Sequence, residues 1–322
     1  MIPQIDKEIG ISVYTTKSHP VNGKIKQNED DFLVTEVLSE KSLSSFDNSN
    51  GHAVYLLTKS GIDTNHALLD IEKRYGIILK SLGLKDANAK TSQFVYTHKK
   101  FNPLAKIEGK KYFAKRVGFV EKPIPKKHMQ GNRFEIIVSE TTGVLPSSDI
   151  HNILNFFGYQ RFGSRRPITH LVGKSIIQEN YEDALDYLLN FSSKYDSEKN
   201  NELRKLISER KSDLETIELL PYSMDIERNL LKQLSTDKDP KNAIRSIPLK
   251  LRRFYVQAYQ SFLFNKTLSM AYEYEEDLFS PTVNDVCFDK NFELGKYQND
   301  PKQKLAIPLI GHSYYKKSRF DY

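Results

Sequence analysis

The hydrophobic pattern of the 322-residue chain changes near residue 149, and this change limits the folds that it can adopt. Before that point, apolar residues form short runs rich in β-branched and aromatic side chains, as in residues 31–37 and 52–58. A loop rich in Ser, Asn and Gly separates these two runs, and we expect them to be neighbouring strands. After that point, apolar residues recur at helical spacing, most clearly in residues 201–220 and 249–272. The two patterns together predict an α+β fold.

One helix in the first half has clear start and stop signals. Asp63 is a suitable N-cap residue, apolar residues follow at helical spacing, and Gly76 is expected to end the helix. The polar residues 83–91 lack any periodicity and precede a predicted strand at 93–97, with a further strand at 135–138. We therefore predict a loop at 83–91, and a loop on a rigid sheet is a common place for binding or catalysis.

The positive charge of the chain is concentrated in one segment. The net charge is +7, but residues 99–133 hold eleven Lys or Arg against two Glu, so this segment carries +9 and the remainder −2. Four aromatic residues are interleaved with these charges: Phe101, Tyr112, Phe113 and Phe119. Such a segment suits a surface that follows nucleic-acid phosphates, and it equally suits a solvated basic face.

Composition argues against several other classes. The sequence has no apolar run long enough to span a membrane and no signal pattern at its start, so we expect a cytoplasmic protein without a membrane partner. Cys287 is the only cysteine, which excludes a disulfide within the chain and a cysteine-rich zinc site, and we expect it in the core. The eight histidines lack ligand spacing, so no metal is predicted, and no glycine-rich phosphate loop supports a nucleotide-dependent enzyme.

Five short motifs occur in order along the chain. They are K-x-x-x-x-D-F-x-V-x-E at 26–36, G-x-K-D-x-x-A-x-T-x-Q at 83–93, G-N-x-F at 131–134, N-x-F-G-x-Q-R-F-G at 155–163 and A-Y-Q-S-x-L-F-N at 258–265. Taken singly, Asp86 would be a turn or cap residue, Asn132 a turn residue and Phe134 a core aromatic. Together, the five motifs resemble those of the TruD family of pseudouridine synthases.

The resemblance implies a domain organisation. Residues 1–165 would form an α+β catalytic domain with a mixed or antiparallel sheet, and residues 166–322 a mostly helical insertion of the TruD type. In the family, closing strands and a helix follow the insertion and complete the sheet. The sequence ends soon after residues 308–311 and no such segment is visible, so the resemblance implies a catalytic domain that is incomplete in its C-terminal part.

The resemblance also implies a reaction. The expected function is pseudouridine synthesis in tRNA, with the uridine at position 13 as the expected target and with no cofactor and no protein partner. Asp86 would be the catalytic carboxylate, either as a nucleophile at C1′ of the ribose or as a base at C2′, and the sequence leaves both roles open. A second hypothesis is an RNA-binding or RNA-folding module of the same fold without turnover. Asp86 in its motif argues against it, because a binding module does not need that residue.

Further substrate-binding roles follow from the same resemblance. Phe134 would provide the plane on which the extruded uracil rests, and Asn132 would hold Asp86 or the base through its amide. Lys26 would favour the ionised form of Asp86 and contact the phosphate backbone, unless it is an exposed lysine at the end of a strand. Lys85 is also assigned to substrate binding, and the alternative is a solvated side chain.

Two further candidates lie in the fourth motif. Gln160 and Arg161 would orient the active-site loop or contact phosphate. The alternative for both is packing of the turn that contains Phe157 and Phe162 against the sheet. The fifth motif, at 258–265, is interpreted as a helix-packing motif.

Overall fold

The protein is described by a computed structural model that covers residues 2–16, 21–46, 51–100, 104–143, 152–210, 214–221, 224–290, 293–312, 314 and 318–322. The chain divides into two compact units. Ser18–Ser148 form one, here called the sheet unit, and Met1–Lys17 together with Asp149–Tyr322 form the other, here called the helical unit. This division differs from the predicted domain boundary at residue 165, and the assignment of a catalytic domain and an insertion stays a prediction.

The elements are numbered in chain order. The helices are α1 (Gln4–Glu8), α2 (Glu40–Leu43), α3 (Thr64–Tyr75), α4 (Thr169–Ile177), α5 (Tyr181–Leu189), α6 (Glu198–Arg210), α7 (Leu214–Leu219), α8 (Asp225–Asp237), α9 (Pro240–Ser246) and α10 (Leu249–Glu273). The strands are β1 (Asn22–Ile25), β2 (Phe32–Leu38), β3 (His52–Lys59), β4 (Leu79–Ser81), β5 (Lys90–Thr97), β6 (Lys106–Gly109), β7 (Tyr112–Val120), β8 (Met129–Ile136), β9 (Val138–Thr142), β10 (Val286–Phe288), β11 (Leu294–Lys296) and β12 (Lys304–Leu305).

The described part of the sheet unit contains a mixed seven-stranded sheet. Its strand order is β6-β7-β3-β5-β2-β8, and β4 pairs with β5 beside this path. Only β2 and β5 are parallel, and the other pairs are antiparallel. The prediction that residues 31–37 and 52–58 form neighbouring strands is wrong, because β5 lies between β2 and β3. A parallel pair requires a long crossover, and the chain from β3 through α3 to β4 provides it.

The helix predicted in the first half is confirmed as α3. The Asp63 carboxylate accepts a hydrogen bond from the His66 backbone N–H at 3.1 Å, and Gly76 ends the helix in the left-handed region with φ 66°. Ala67 and Ile71 are fully buried and pack on the sheet. Their partners on the strands include Tyr55, Leu57, Val95 and Ala114. Burial of this apolar face holds α3 beside the loops that carry the candidate site.

Helices predominate in the described part of the helical unit. The predicted helix at 249–272 is confirmed as α10, whereas residues 201–220 contain two helices, α6 and α7, with residues 211–213 between them outside the described ranges. Gly173 on α4 allows a close approach to α10, since a Cβ atom there would lie 2.0 Å from the Tyr255 carbonyl oxygen. Cys287 is buried, as predicted. No described helix combines the length and apolar character needed to cross a bilayer.

The fourth motif packs inside the helical unit. Phe162 is fully buried beside Ile9 and Ile11 in the N-terminal segment. The Asn265 side chain of α10 accepts from the Phe157 N–H at 2.9 Å and donates to the Phe157 carbonyl at 3.0 Å. These contacts give the turn a packing role within the helical unit, and its predicted packing against the sheet stays a prediction. These contacts also explain why the residues before 165 belong to the helical unit.

Candidate active site

Asp86 lies on the loop between β4 and β5, with its side chain exposed to solvent. The loop around it is held by hydrogen bonds from the elements on either side. Gln93 Nε2 donates to Gly83 O at 3.0 Å, Thr64 N to Lys85 O at 3.2 Å, Gly61 N to Ala87 O at 3.2 Å, and Lys85 N to Thr64 Oγ1 at 2.8 Å. The exposed carboxylate is thus presented by a backbone fixed on α3 and β5.

Lys59, the last residue of β3, is bound to the inner side of this loop. The residue is only 1% exposed. Its ammonium donates to the carbonyl oxygens of Ile62 at 2.8 Å, Lys85 at 3.1 Å and Asp86 at 2.8 Å. Burial lowers the pKa of Lys59 from 10.5 to about 8. The negative charges of Asp63 and Asp86 nearby act in the opposite direction and raise this pKa, but by less.

Lys85 also points away from solvent. It is 8% exposed, and its ammonium lies 3.2 Å from Oε1 of Glu36, whose side chain is fully buried. The other carboxylate oxygen of Glu36 accepts from the Phe94 N–H at 2.9 Å. The alternative of a solvated Lys85 is therefore wrong. The ion pair joins the Asp86 loop to β2 and β5.

Asn132 and Phe134 lie on β8, directly opposite residues of β2. Asn132 pairs with Glu36, and Phe134 with Val34, and directly opposed residues of an antiparallel pair project to the same face. Phe134 is 55% exposed and meets the Phe32 ring edge to face at a centroid distance of 6.0 Å. This exposure does not fit a core aromatic. Among the described residues, the Asn132 amide forms no hydrogen bond with Asp86.

Lys26 lies in the turn after β1 and has an uncommon backbone conformation. Its φ of 59° falls in the left-handed region, where a residue with a side chain is strained and where functional residues are often found. Its ammonium lies 4.1 Å from the centroid of the Phe32 ring. Within the described ranges it forms no ion pair with Asp86, so its predicted effect on that carboxylate is untested.

Lys59 is the residue of this site that the sequence motifs missed. The burial of β3 alternates along much of the strand, and Ala53, Tyr55 and Leu57 are fully buried. Lys59 continues this inward series. A lysine at an inward position of a strand is costly unless its ammonium finds acceptors, and this signal could have identified it.

The basic segment includes β6, β7 and the start of β8. Among its described residues, the Lys and Arg side chains are exposed except for the half-buried Arg116. Its aromatic residues differ in solvent exposure. Tyr112 and Phe119 are buried in the core, whereas Phe113 is 38% exposed, and Phe101 lies outside the described residues. The described segment therefore offers exposed cations and one exposed ring, with β6 and β7 at one edge of the sheet and β8 at the other.

Gln160 and Arg161 belong to the helical unit, in a short 3₁₀ helix at Tyr159–Arg161. Gln160 is exposed. Arg161 is half-buried, and its guanidinium lies 5.4 Å from the ring centroids of both Phe157 and Phe254. These contacts favour a packing role for Arg161 within its own unit. Within the described ranges, no group of three or more His, Cys, Asp or Glu residues could hold a metal ion.

Comparison with known proteins gives a consistent result. The profile of the family described as tRNA pseudouridine synthase D (TruD) matches residues 8–306. A Pyrobaculum neutrophilum protein named as a probable tRNA pseudouridine synthase D is 29% identical over 96% of this chain and 77% of its own length. A protein of the same name from Sulfurisphaera tokodaii is 35% identical over 74% of this chain and 67% of its own length.

A solved structure supports the same relationship. The crystal structure of a Methanosarcina mazei protein assigned to TruD superposes with a TM-score of 0.75 and 27% identity, covering 95% of this chain and 72% of that one. The mixed α+β fold and these comparisons define the class as that of the RNA-modifying isomerases. The chain belongs to the TruD family of tRNA pseudouridine synthases.

Proposed function

We propose that the chain isomerises a uridine in tRNA to pseudouridine and that Asp86 is its catalytic carboxylate. The observation that carries the proposal is the exposed Asp86 side chain on a loop whose backbone is bound at Gly83, Lys85, Asp86 and Ala87. A carboxylate held in this way is placed before substrate arrives, which lowers the entropic cost of the reaction.

The reaction needs an ionised carboxylate and an exchange of bonds within one nucleotide. The bond from N1 of uracil to C1′ breaks, the base rotates, and a bond from C5 to C1′ forms. The hydrogen on C5 leaves to solvent, and N1 gains one. Asp86 can begin this sequence by attack on C1′ or by removing a proton from C2′, and both roles remain in the proposal.

Phe134, Asn132 and Lys26 complete the proposed site. A uridine must leave its stack to react, and the exposed ring of Phe134 offers an apolar plane for the extruded base. Asn132 follows on the same face, where its amide can bind the polar edge of the base. The exposed Lys26 suits a phosphate contact. Lys85 is proposed to act through the loop, because its ammonium is already paired with Glu36.

The proposed substrate is tRNA, with the uridine at position 13 as its target. The exposed cations of the basic segment suit the phosphate backbone of a folded RNA. A cytoplasmic location follows from a tRNA substrate and belongs to the same proposal. The first 165 residues are proposed as the catalytic domain and residues 166–322 as the insertion. Gln160 stays a candidate for a phosphate contact, and packing is the better-supported role for Arg161.

The experiment that tests this function maps pseudouridine in tRNA after incubation with the full chain. Unmodified tRNA is treated with the protein, derivatised with a carbodiimide that marks pseudouridine, and read by primer extension. We expect one new stop, one nucleotide on the 3′ side of position 13. Binding of tRNA without any new stop would favour the RNA-binding module over the enzyme, and a stop elsewhere would correct the target.

A further inference from the structure

Lys59 is an ammonium buried under the candidate catalytic loop. It has three N–H donors and three carbonyl acceptors, from Ile62, Lys85 and Asp86. Two of these acceptors are the Asp86 carbonyl itself and the one before it. Since all the donors are engaged and the residue is 1% exposed, Lys59 is not available to a phosphate of the RNA.

The charges around Lys59 are few. Asp63, on the β3–α3 loop, and Asp86, on the β4–β5 loop, favour its protonated form, and Lys85 opposes it. Lys85 is itself paired with Glu36 of β2. Within the described ranges no carboxylate lies within ion-pair distance of the Lys59 ammonium. Its charge is therefore balanced by carbonyl dipoles and by the fields of the two aspartates.

The stability of the fold does not by itself explain an ammonium at this position. Burial of a cation without a carboxylate partner is expensive, and a neutral donor could meet carbonyl groups at a lower desolvation cost. The distinctive property of lysine here is a set of three donors and a positive charge held against the carbonyl oxygens of Ile62, Lys85 and Asp86. A charged donor strengthens the hydrogen bonds to these carbonyl groups and so fixes the backbone of the loop more firmly than a neutral donor would.

We propose that Lys59 is a positioning residue for the reaction, whose ammonium fixes the backbone of the loop that presents Asp86. This proposal rests on the proposed function, because it assigns Lys59 a task that only a catalytic Asp86 needs. It does not place Lys59 in contact with the substrate.

A pH dependence follows from the charge of Lys59. With a pKa of about 8 the ammonium loses its proton in mildly alkaline solution, and the reaction rate should then fall. The effect on folding has the opposite sign. The pKa is lower in the folded chain than its usual 10.5, so between these two values the unfolded chain binds more protons and the contribution of Lys59 to stability rises with pH. Loss of rate above pH 8 therefore cannot come from loss of folding caused by Lys59.

The test compares Lys59→Gln, Lys59→Arg and the control Lys80→Gln, which removes an exposed lysine from β4. Single-turnover rates at saturating tRNA are measured from pH 5 to 9.5, together with thermal unfolding and tRNA affinity. In the parent and the control we expect an alkaline fall centred near the Lys59 pKa of about 8. In Lys59→Gln we expect a rate about tenfold lower and no alkaline fall at that pH. Lys59→Arg, which keeps a charge that does not titrate, should also lose the alkaline fall and retain more activity than Gln.

A further variant, at Asp63, tests the proposal even if Lys59→Gln folds poorly. Asp63→Ser keeps a capping oxygen for α3 but removes one of the two charges that raise the Lys59 pKa, so the alkaline fall should move to lower pH. The proposal is overturned if both Lys59 variants keep the parental pH profile, or if Asp63→Ser leaves the alkaline fall in place. Inactivity of Asp86→Asn together with either of these results would reject the role of Lys59 and leave the proposed function intact.

Discussion

Asp86 has a weak signal in the sequence and a specific set of contacts in the structure. An exposed aspartate in a loop is common, and its motif was the only sequence signal that set it apart. Its structural context is specific, because a buried lysine 27 positions earlier binds its carbonyl. That contact could not be predicted, since it depends on how two loops fold against each other. The exposure of Phe134 could not be predicted from the local sequence either, because an isolated Phe in a strand is typical of a core residue.

Phe134 gives a prediction at this scale. Phe134→Ala should lower the single-turnover rate about ten- to hundredfold, because stacking of one base is worth roughly 1–3 kcal/mol and the loss falls on the extruded uridine. Affinity for tRNA and the melting temperature should change little, since the ring is 55% exposed and makes few core contacts.

Ile136→Ala is the matched control, because Ile136 is 45% exposed on the same strand and the same face. It should leave the rate unchanged. A parallel loss of stability, binding and rate in Phe134→Ala would instead assign the ring to the core.

Elements of the fold were predicted where their signals are local. The cap at Asp63 and the stop at Gly76 predict α3. In the structure Asp63 caps the start of this helix and Gly76 ends it. The strand predicted at 135–138 overlaps only the end of β8 and extends into β9, because the first half of β8 is polar, which is typical of an edge strand with an exposed face. The hairpin of β6 and β7 was missed, since its exposed lysines interrupt the apolar pattern that predicts strands.

The pair between Lys85 and Glu36 gives a prediction at the scale of elements, because it joins the Asp86 loop to β2. Glu36→Ala leaves a buried ammonium and the Phe94 N–H without their partner, so we expect a loss of about 3–5 kcal/mol in the free energy of unfolding. Urea denaturation measures it.

The control for this prediction is Asp30→Ala, which breaks an ion pair with Lys90 whose side chains are 76% and 48% exposed. It should cost less than about 1 kcal/mol. Equal losses in the two variants would mean that the buried pair does not hold the loop more firmly than a surface pair does.

At the scale of the whole molecule, the α+β class was predictable and the topology was not. Local patterns locate strands, but they do not reveal that β5 separates β2 from β3. The sequence also did not show that the N-terminal segment belongs to the helical unit, because it joins this unit through contacts between residues far apart in the chain. Asn265 donates to the carbonyl of Ile9, and Ser269 to that of Gly10, across more than 250 residues. No local signal specifies such pairs.

Tritium release from tRNA labelled at C5 of uridine tests the central claim most directly, because formation of the bond from C5 to C1′ expels that hydrogen. The comparison is between the parent chain and Asp86→Asn, which is nearly isosteric and removes only the ionisable oxygen. The account predicts release by the parent, none above background by the variant, and tRNA affinity and thermal unfolding within a few-fold and a few degrees of the parent. Undiminished release by a folded Asp86→Asn variant would contradict it and remove Asp86 from the mechanism.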